Sequence, residues 1–297
     1  MRSSSPESRS CFESTKSRSG RAPVIAAGLY NPPLLISPVL QIVVALVMAQ
    51  LAMAVVWLVA VRIRNAGIVD VAWAASFSLL ALFFAASGAG ALHRRRLIGG
   101  MTLLWSARLA IHLYRRVRRL HPVEDSRYEQ LRREWAPFAD RRFFVFFQAQ
   151  GLSNVLLSAP VFVACLNRTP GLAALEWLGT ALWSIAVVGE SIADRQLERF
   201  KKDPANRGRT CRTGLWRYSR HPNYFFEWLV WVAYFVFALP SPGGGLTAFC
   251  PLVMLYLLLR VTGIPRTEIE ALKSRGDEYR EYQRTTSAFF PLPPRMP

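Results

Sequence analysis

The chain has 297 residues, of which 52% are hydrophobic and 19% are charged, and its formal net charge is +18. The apolar residues form blocks too long and too free of charge for a water-soluble core, which predicts an integral membrane protein. The positive charge clusters beside these blocks and lies in no DNA or RNA recognition motif, so we expect no nucleic-acid partner. The cysteines show no CxxC or histidine spacing, so we expect neither a disulfide framework nor a metal site.

The chain divides into a polar tail and one membrane domain. Residues 1–36 are rich in Ser and Arg and almost lack apolar side chains, so they cannot bury a core and are predicted to be a disordered tail. The tail does not have the pattern of a signal peptide, and a wrongly chosen start codon is the alternative interpretation. Residues 37–297 are predicted to form a single membrane domain.

Apolar stretches predict seven transmembrane helices in this domain, since about 20 apolar residues cross the hydrocarbon. Three stretches carry no charge, and two more are interrupted by charged residues and are expected to face the bundle interior: 39–61, 71–92 and 143–167, then 97–114 and 172–193. The last run, 228–259, is too long for one span. The turn signal PSPGGG at 240–245 divides it into two helices.

Most Lys and Arg residues lie in the connections after the first, third and fifth predicted helices and in the C-terminal tail. Cytoplasmic loops keep positive charge, so we predict an outside N terminus and a cytoplasmic C terminus, in the inner membrane if the source is bacterial. The RRR segment at 94–96 goes against this orientation. Within 115–142, Ser126 as the capping residue and Glu129 three positions later predict a short amphipathic helix. This helix is either a solvated helix on lipid headgroups or a lid over a cofactor.

The segment GLWRYSRHPNYFFEWLVW at 214–231 holds the first group of candidate site residues. Pro222 suits the first position of a helix, so Arg217, Arg220 and His221 surround a positive helix end that favours a phosphate or carboxylate ligand. Asn223 and Glu227 share a face of that helix. An ionised group inside a span costs roughly 3 kcal/mol, so we expect Glu227 to have a partner.

That partner is predicted to be a ligand or Arg260, and hydrogen bonding between helices without a ligand is the alternative. A second carboxylate pair, Glu190 and Asp194, lies at the end of the fifth predicted helix and is followed by several cations, including Lys201. Carboxylates beside cations suit a ribose-phosphate ligand, whereas an ordinary ion-pair network is the other interpretation. Glu268 and Tyr279 are expected to form the cytoplasmic wall.

These segments, with GDEYREY and FFP near the C terminus, resemble the C-terminal half of the steroid 5-alpha-reductase superfamily, and above all its uncharacterised bacterial branch. The resemblance implies seven transmembrane helices around a cytoplasmic NADPH cavity and reduction of a carbon-carbon double bond conjugated to a carbonyl in a lipophilic substrate. By motif, the cofactor contacts correspond to Asp194, Tyr218, Ser219, Asn223, Glu227 and Arg260, with Tyr224 beside Asn223. Glu190 stands where the family has Asn. No motif matches the substrate-side residues, for which Asp70 and Tyr114 are our catalytic candidates.

The same region is also similar to isoprenylcysteine carboxyl methyltransferases and phospholipid methyltransferases. That resemblance implies S-adenosylmethionine as the cofactor and is carried by Arg220, His221, Pro222, Tyr224, Glu268 and Tyr279. The abundance of Arg and Lys at 195–220 favours NADPH, because a sulfonium ligand needs fewer cations. A non-enzymatic membrane scaffold or transporter is the third class considered. The expected partners are the bilayer and a lipophilic small molecule.

Overall fold

The structure, a computed structural model, describes residues 36–261 and 263–295, so the predicted tail lies outside the described residues apart from its last position. The described residues form helices and no strand, as the all-α prediction requires. The α-helices are α1 Pro38–Ile63, α2 Ile68–Ser87, α3 Leu92–Leu120, α4 Ser126–Glu134, α5 Ala139–Leu157, α6 Ala159–Leu166, α7 Ala174–Lys202, α8 Pro222–Ala238, α9 Phe249–Tyr256, α10 Ile264–Arg275 and α11 Asp277–Thr285.

Within the described residues, four helical stretches are long and apolar enough to cross a membrane: Pro38–Ile63, Ile68–Ser87, Ala139–Leu166 and Gly244–Arg275. They coincide with the three charge-free predicted spans and with the last predicted span. The other predicted spans form α3, α7 and α8. The first two have 29 residues each but contain charged side chains, and α8 has 17 residues.

The break in the last apolar run lies at the predicted PSPGGG turn. Helix α8 ends at Ala238, and Gly243 adopts a φ of 77°, a conformation that side chains disfavour. A Cβ at Gly244 would lie 2.0 Å from the carbonyl oxygen of Ala238, so the chain reverses where only glycine fits.

Close packing of α7 against α8 brings the two predicted site helices together. A Cβ at Gly179 would lie 2.7 Å from the backbone nitrogen of Phe237, and a Cβ at Gly189 would lie 2.4 Å from the ring of Phe226. These two glycines let the helix backbones approach closely over ten residues. The polar residues next to this contact, Asp194 on α7 and Asn223 on α8, consequently meet.

The RRR segment has a structural role that its sequence did not reveal. Arg94 and Arg95 are buried in the first turn of α3. The guanidinium of Arg94 pairs with Glu176, and it also donates to three backbone carbonyls of the loop before α7. Two of these three arginines are therefore fixed by internal contacts, which explains why they go against the predicted orientation.

The predicted amphipathic helix in 115–142 is confirmed as α4, but its capping residue is Asp125 instead of Ser126. The carboxylate of Asp125 accepts from the backbone N–H of Arg127 at 3.1 Å. Asp70, at the start of α2, accepts from Tyr128 Oη at 2.6 Å and from Arg127 Nη2 at 2.9 Å. These contacts dock α4 onto the entry of α2.

Candidate functional site

A cavity of about 800 Å³ lies where α3, α4, α7, α8, α10 and α11 meet. Seven of the predicted site residues line it: Asp194, Lys201, Arg220, His221, Asn223, Tyr224 and Tyr279. Helix α4 contributes the opposite wall through Ser126 and Glu129, with Glu124 and Asp125 just before it. The cavity is therefore assembled from segments far apart in the sequence.

The floor of the cavity is a set of polar contacts centred on Asp194. Its carboxylate accepts from Asn223 Nδ2 at 3.4 Å and from Arg108 Nη1 at 3.3 Å. The Nδ1 of His112 lies 3.7 Å from the same carboxylate, with about 38% of the His112 side chain exposed. The face of α8 that was predicted to carry Asn223 and Glu227 thus meets both α7 and α3.

Below this floor, two buried carboxylates meet the Arg108 guanidinium. Arg108 forms an ion pair with Glu190 and interacts electrostatically with Glu227. Arg108 Nε and Glu190 Oε2 are two of several buried polar atoms in the described residues that have no hydrogen-bond partner. Buried polar groups are usually paired, so these two atoms are candidates for contact with a ligand.

Glu227 is held by two tryptophans in addition to the nearby charge. Its carboxylate accepts from Trp105 Nε1 at 3.2 Å and from Trp231 Nε1 at 3.3 Å. The predicted partner Arg260 is exposed and forms no ion pair with any described residue. This corrects the predicted pairing, because the cation near Glu227 comes from α3 and is Arg108.

The C-terminal wall is organised around Glu268. This carboxylate accepts from Arg220 Nε at 2.7 Å and from Tyr279 Oη at 3.4 Å, and it lies 3.2 Å from His221 Nε2. Arg220 Nη1 also donates to the carbonyls of Gln283 and Thr286. The guanidinium is therefore occupied in holding the C-terminal segment, which limits its predicted role as an anion ligand.

Burial sets the protonation of two groups in this wall. Burial lowers the pKa of His221 below its ordinary value, and the hydrogen bond to Glu268 only partly offsets this effect. Burial also raises the pKa of Tyr279, with Glu268 acting in the same direction. Tyr279 therefore keeps its proton. The neighbouring His221 ring stacks in parallel on Tyr224, with 5.2 Å between the ring centroids.

Nine predicted residues do not line the cavity: Glu190, Glu227, Arg260 and Glu268, whose positions are given above, and Asp70, Tyr114, Arg217, Tyr218 and Ser219. Asp70 is engaged with α4, the Tyr114 side chain is 54% exposed, and Tyr218 is 43% exposed. Arg217 is also exposed. Ser219 is buried and donates to the carbonyl of Phe289 at 2.8 Å, which ties the start of α8 to the C-terminal segment.

Sequence reasoning missed the contribution of α3. Arg108, His112 and Arg116 are spaced four residues apart, so they lie on one helix face, and the last two line the cavity. The signal was present in the sequence as a polar stripe across an apolar stretch.

These features define an all-helical protein with apolar candidate membrane spans and a polar cavity at one end of its helices. Residues 56–286 match the family described as "Protein of unknown function (DUF1295)". The chain belongs to this family, which is steroid 5-alpha-reductase-like. The match extends from α1 into the C-terminal segment and confirms the resemblance at the level of the family.

The chain is also similar to a curated protein over most of its length. The chain is 29% identical over 274 residues to "Uncharacterized protein C594.04c" of Schizosaccharomyces pombe, and the alignment covers 84% of this chain and 79% of that protein. No solved structure matches the chain. The likeness to a bacterial branch and to methyltransferases stays a prediction.

Proposed function

We propose that this protein is a membrane oxidoreductase that uses NADPH to reduce a carbon-carbon double bond conjugated to a carbonyl in a lipophilic substrate. The observation that carries the proposal is the cavity of about 800 Å³ lined by Asp194, Asn223 and Lys201 together. Its size falls in the range of ordinary cofactor sites. Carboxylate, amide and cationic groups in one cavity match the ribose, amide and phosphate parts of a dinucleotide.

The polar and charged groups of the cavity and its floor fit the cofactor on two grounds. Arg108 Nε and Glu190 Oε2 are buried without partners beneath the floor, and cations from α3, α7 and α10 line the walls. Asp194 and Asn223 would hold the polar groups of the nicotinamide half, and Lys201 would contact a phosphate. When bound, NADPH would supply the hydride.

The chain itself must supply a proton where negative charge develops on the substrate oxygen. His112 is the candidate that the geometry favours, because its ring is open to the cavity and Asp194 lies 3.7 Å from its Nδ1. The carboxylate would orient the ring toward the cavity. This role replaces the one predicted for Tyr114.

The proposal includes seven membrane spans with a cytoplasmic C terminus. The four candidate spans would be joined by α3, α7 and α8, whose charged groups face protein instead of lipid. Arg94, Glu176, Glu190 and Glu227 are all buried, in support of this arrangement. The cavity would then open to the cytoplasm, where NADPH is available.

The test is a thermal-stability titration of the detergent-purified protein with NADPH, NADH and S-adenosylmethionine in parallel. A ligand at 100 times its dissociation constant stabilises the folded state by about 2.7 kcal/mol. We expect NADPH to raise the melting temperature, and Asn223→Ala to remove the shift. The control is Tyr256→Phe, since this side chain at the end of α9 is 61% exposed and lies outside the cavity, and its shift should equal that of the unmodified protein.

A second candidate, an S-adenosylmethionine-dependent methyltransferase, is favoured by one specific observation. The residues that carry this resemblance also converge, because Arg220, His221 and Tyr279 all contact Glu268. In the same titration, stabilisation by S-adenosylmethionine alone would favour this function and overturn the reductase proposal. Stabilisation by neither class would favour a scaffold or transporter.

A further inference from the structure

A second, smaller pocket adjoins the cavity and carries only positive charge. It has a volume of about 270 Å³ and shares Leu197, Lys201, Cys211 and Arg275 with the larger cavity. Lys201, Arg207, Arg209 and Arg275 are its charged lining residues, and no Asp or Glu lines it. We call these four cations and the pocket that they surround the basic annex.

The cations of the basic annex differ from the other cations of the cavity in being unpaired. Along the cavity wall, Arg116 pairs with Asp125 and Arg119 pairs with Glu198. In residues 36–261 and 263–295, none of the four annex cations forms an ion pair, and the buried Nε of Arg275 has no hydrogen-bond partner. Four like charges around one hollow repel one another, so an anion placed there is stabilised.

The loop that carries Arg207 and Arg209 is held in place at both ends. Asn206 Nδ2 donates to the carbonyl of Phe200 at 3.1 Å, which fastens the loop to the end of α7. On the other side, the backbone N–H and the hydroxyl of Thr210 both donate to Glu278, at 2.9 and 3.0 Å. Between the arginines, Gly208 adopts a φ of 79°. The annex is therefore a shaped part of the fold.

The position of the annex suits one end of an elongated ligand. Lys201 lies seven residues beyond Asp194 on α7, which is about 10 Å at the α-helical rise. A ligand with its reactive end at Asp194 and Asn223 would extend along α7 toward Lys201. S-adenosylmethionine carries no phosphate, so it would leave the annex cations unused.

We propose that the basic annex binds the 2′-phosphate that distinguishes NADPH from NADH. This inference rests on the proposed function, because it assigns one part of that cofactor to these residues. A phosphate monoester carries close to two negative charges at neutral pH and three acceptor oxygens. Arg207, Arg209 and Arg275 offer the forked donors that recognise such a group.

The experiment measures dissociation constants of NADPH and NADH for the detergent-purified full chain and for Arg207→Gln and Arg209→Gln. We expect NADPH to bind at least tenfold more tightly than NADH. Each variant should lose about tenfold in NADPH affinity, about 1.4 kcal/mol, and keep its NADH affinity. Arg199→Gln is the matched control, because it removes one exposed positive charge from α7 outside the annex, and both its affinities should be unchanged.

The outcomes separate this inference from the function on which it rests. Equal affinities for the two dinucleotides, with both bound, would overturn the annex assignment and leave the reductase proposal standing. An equal loss of NADPH affinity in Arg199→Gln and Arg209→Gln would show a general charge effect and would also overturn the assignment. Binding of neither dinucleotide would overturn both proposals.

Discussion

Two arginine–glutamate pairs join α3 to α7, and their surroundings differ. Arg94 pairs with Glu176 and Arg108 pairs with Glu190. Both partners of the second pair lie fourteen residues further along their helices, about 21 Å at the α-helical rise. The same two helices thus repeat the same ion pair at two levels of the bundle.

The first pair is closed and the second is open. Arg94 also donates to the carbonyls of Asn167, Thr169 and Gly171, at 2.9, 2.8 and 2.6 Å, and its side chain is 2% exposed. The Arg108 side chain is 22% exposed, and its Nε lacks a partner, as does Glu190 Oε2. A fully satisfied buried pair indicates structure, whereas an unsatisfied pair beside a cavity indicates a site.

The largest expected effect is on stability at the closed pair. Arg94→Met removes the donor of three backbone carbonyls and leaves Glu176 buried without a cation, so we expect a loss of about 3–5 kcal/mol in the free energy of unfolding. Arg108→Met should cost roughly 1–2 kcal/mol, because its carboxylates lie near a cavity. Denaturant unfolding in detergent measures both. Equal losses would contradict the distinction between the pairs.

The order should reverse when binding is measured. Glu190→Gln alters the pair beneath the cavity floor, so we expect about a tenfold loss in NADPH affinity, about 1.4 kcal/mol. Glu176→Gln is the matched control, since it makes the same chemical change at the closed pair, and a dissociation constant measured below its melting temperature should be unchanged. A loss of affinity in both variants would mean that the two pairs are coupled.

At the contact between α7 and α8, the loss in the free energy of unfolding caused by Gly179→Ala and by Gly189→Ala should differ by about 1–3 kcal/mol. The Cβ added by Gly179→Ala meets the backbone of Phe237, which cannot move away, whereas the Cβ added by Gly189→Ala meets the Phe226 ring, which can rotate. We therefore expect Gly179→Ala to lower the melting temperature more. A larger drop in melting temperature for Gly189→Ala would show that α7 and α8 are packed more rigidly near the Arg108–Glu190 pair than near the Arg94–Glu176 pair.

Part of the fold and of the candidate site could be predicted from the sequence, and part could not. Long apolar stretches predicted α1, α2 and the α5–α6 stretch, because span length follows directly from hydrophobicity. Helical spacing predicted that Asn223 and Glu227 share a face. Local patterns cannot say which distant helix lies opposite that face. The partner of Glu227 was therefore predicted to be a ligand or Arg260, whereas the cation that the structure places near it is Arg108.

Local patterns also could not identify the distant partners of Asp70 and of the RRR segment at 94–96. Both were judged from charge in a local context, but each is determined by a contact from a remote segment. Asp70 meets Tyr128 of α4, and Arg94 meets the loop before α7. A charged residue near a membrane span can be a topology signal, a structural partner or a ligand contact, and only its neighbours in space decide which.

The smallest expected effect is a pH dependence of stability that comes from His221, which is buried beside Glu268 in the C-terminal wall of the cavity. Burial holds the pKa of His221 below its ordinary value of 6.5, so the unfolded chain takes up a proton before the folded protein does. The stability contributed by the neutral ring is fully present above pH 6.5. It is lost as the pH falls from 6.5 toward the lowered folded-state pKa.

His221→Gln removes this titration and leaves the other groups in place. We expect the melting temperature of the unmodified protein to approach that of the variant as the pH falls from about 7.5 to 5.5. If Glu268 instead dominated and kept the ring protonated, the folded-state pKa would be raised and the two melting temperatures would separate on acidification. The sign of the change therefore decides whether burial or the carboxylate controls His221, and with it the charge that this wall presents to a ligand.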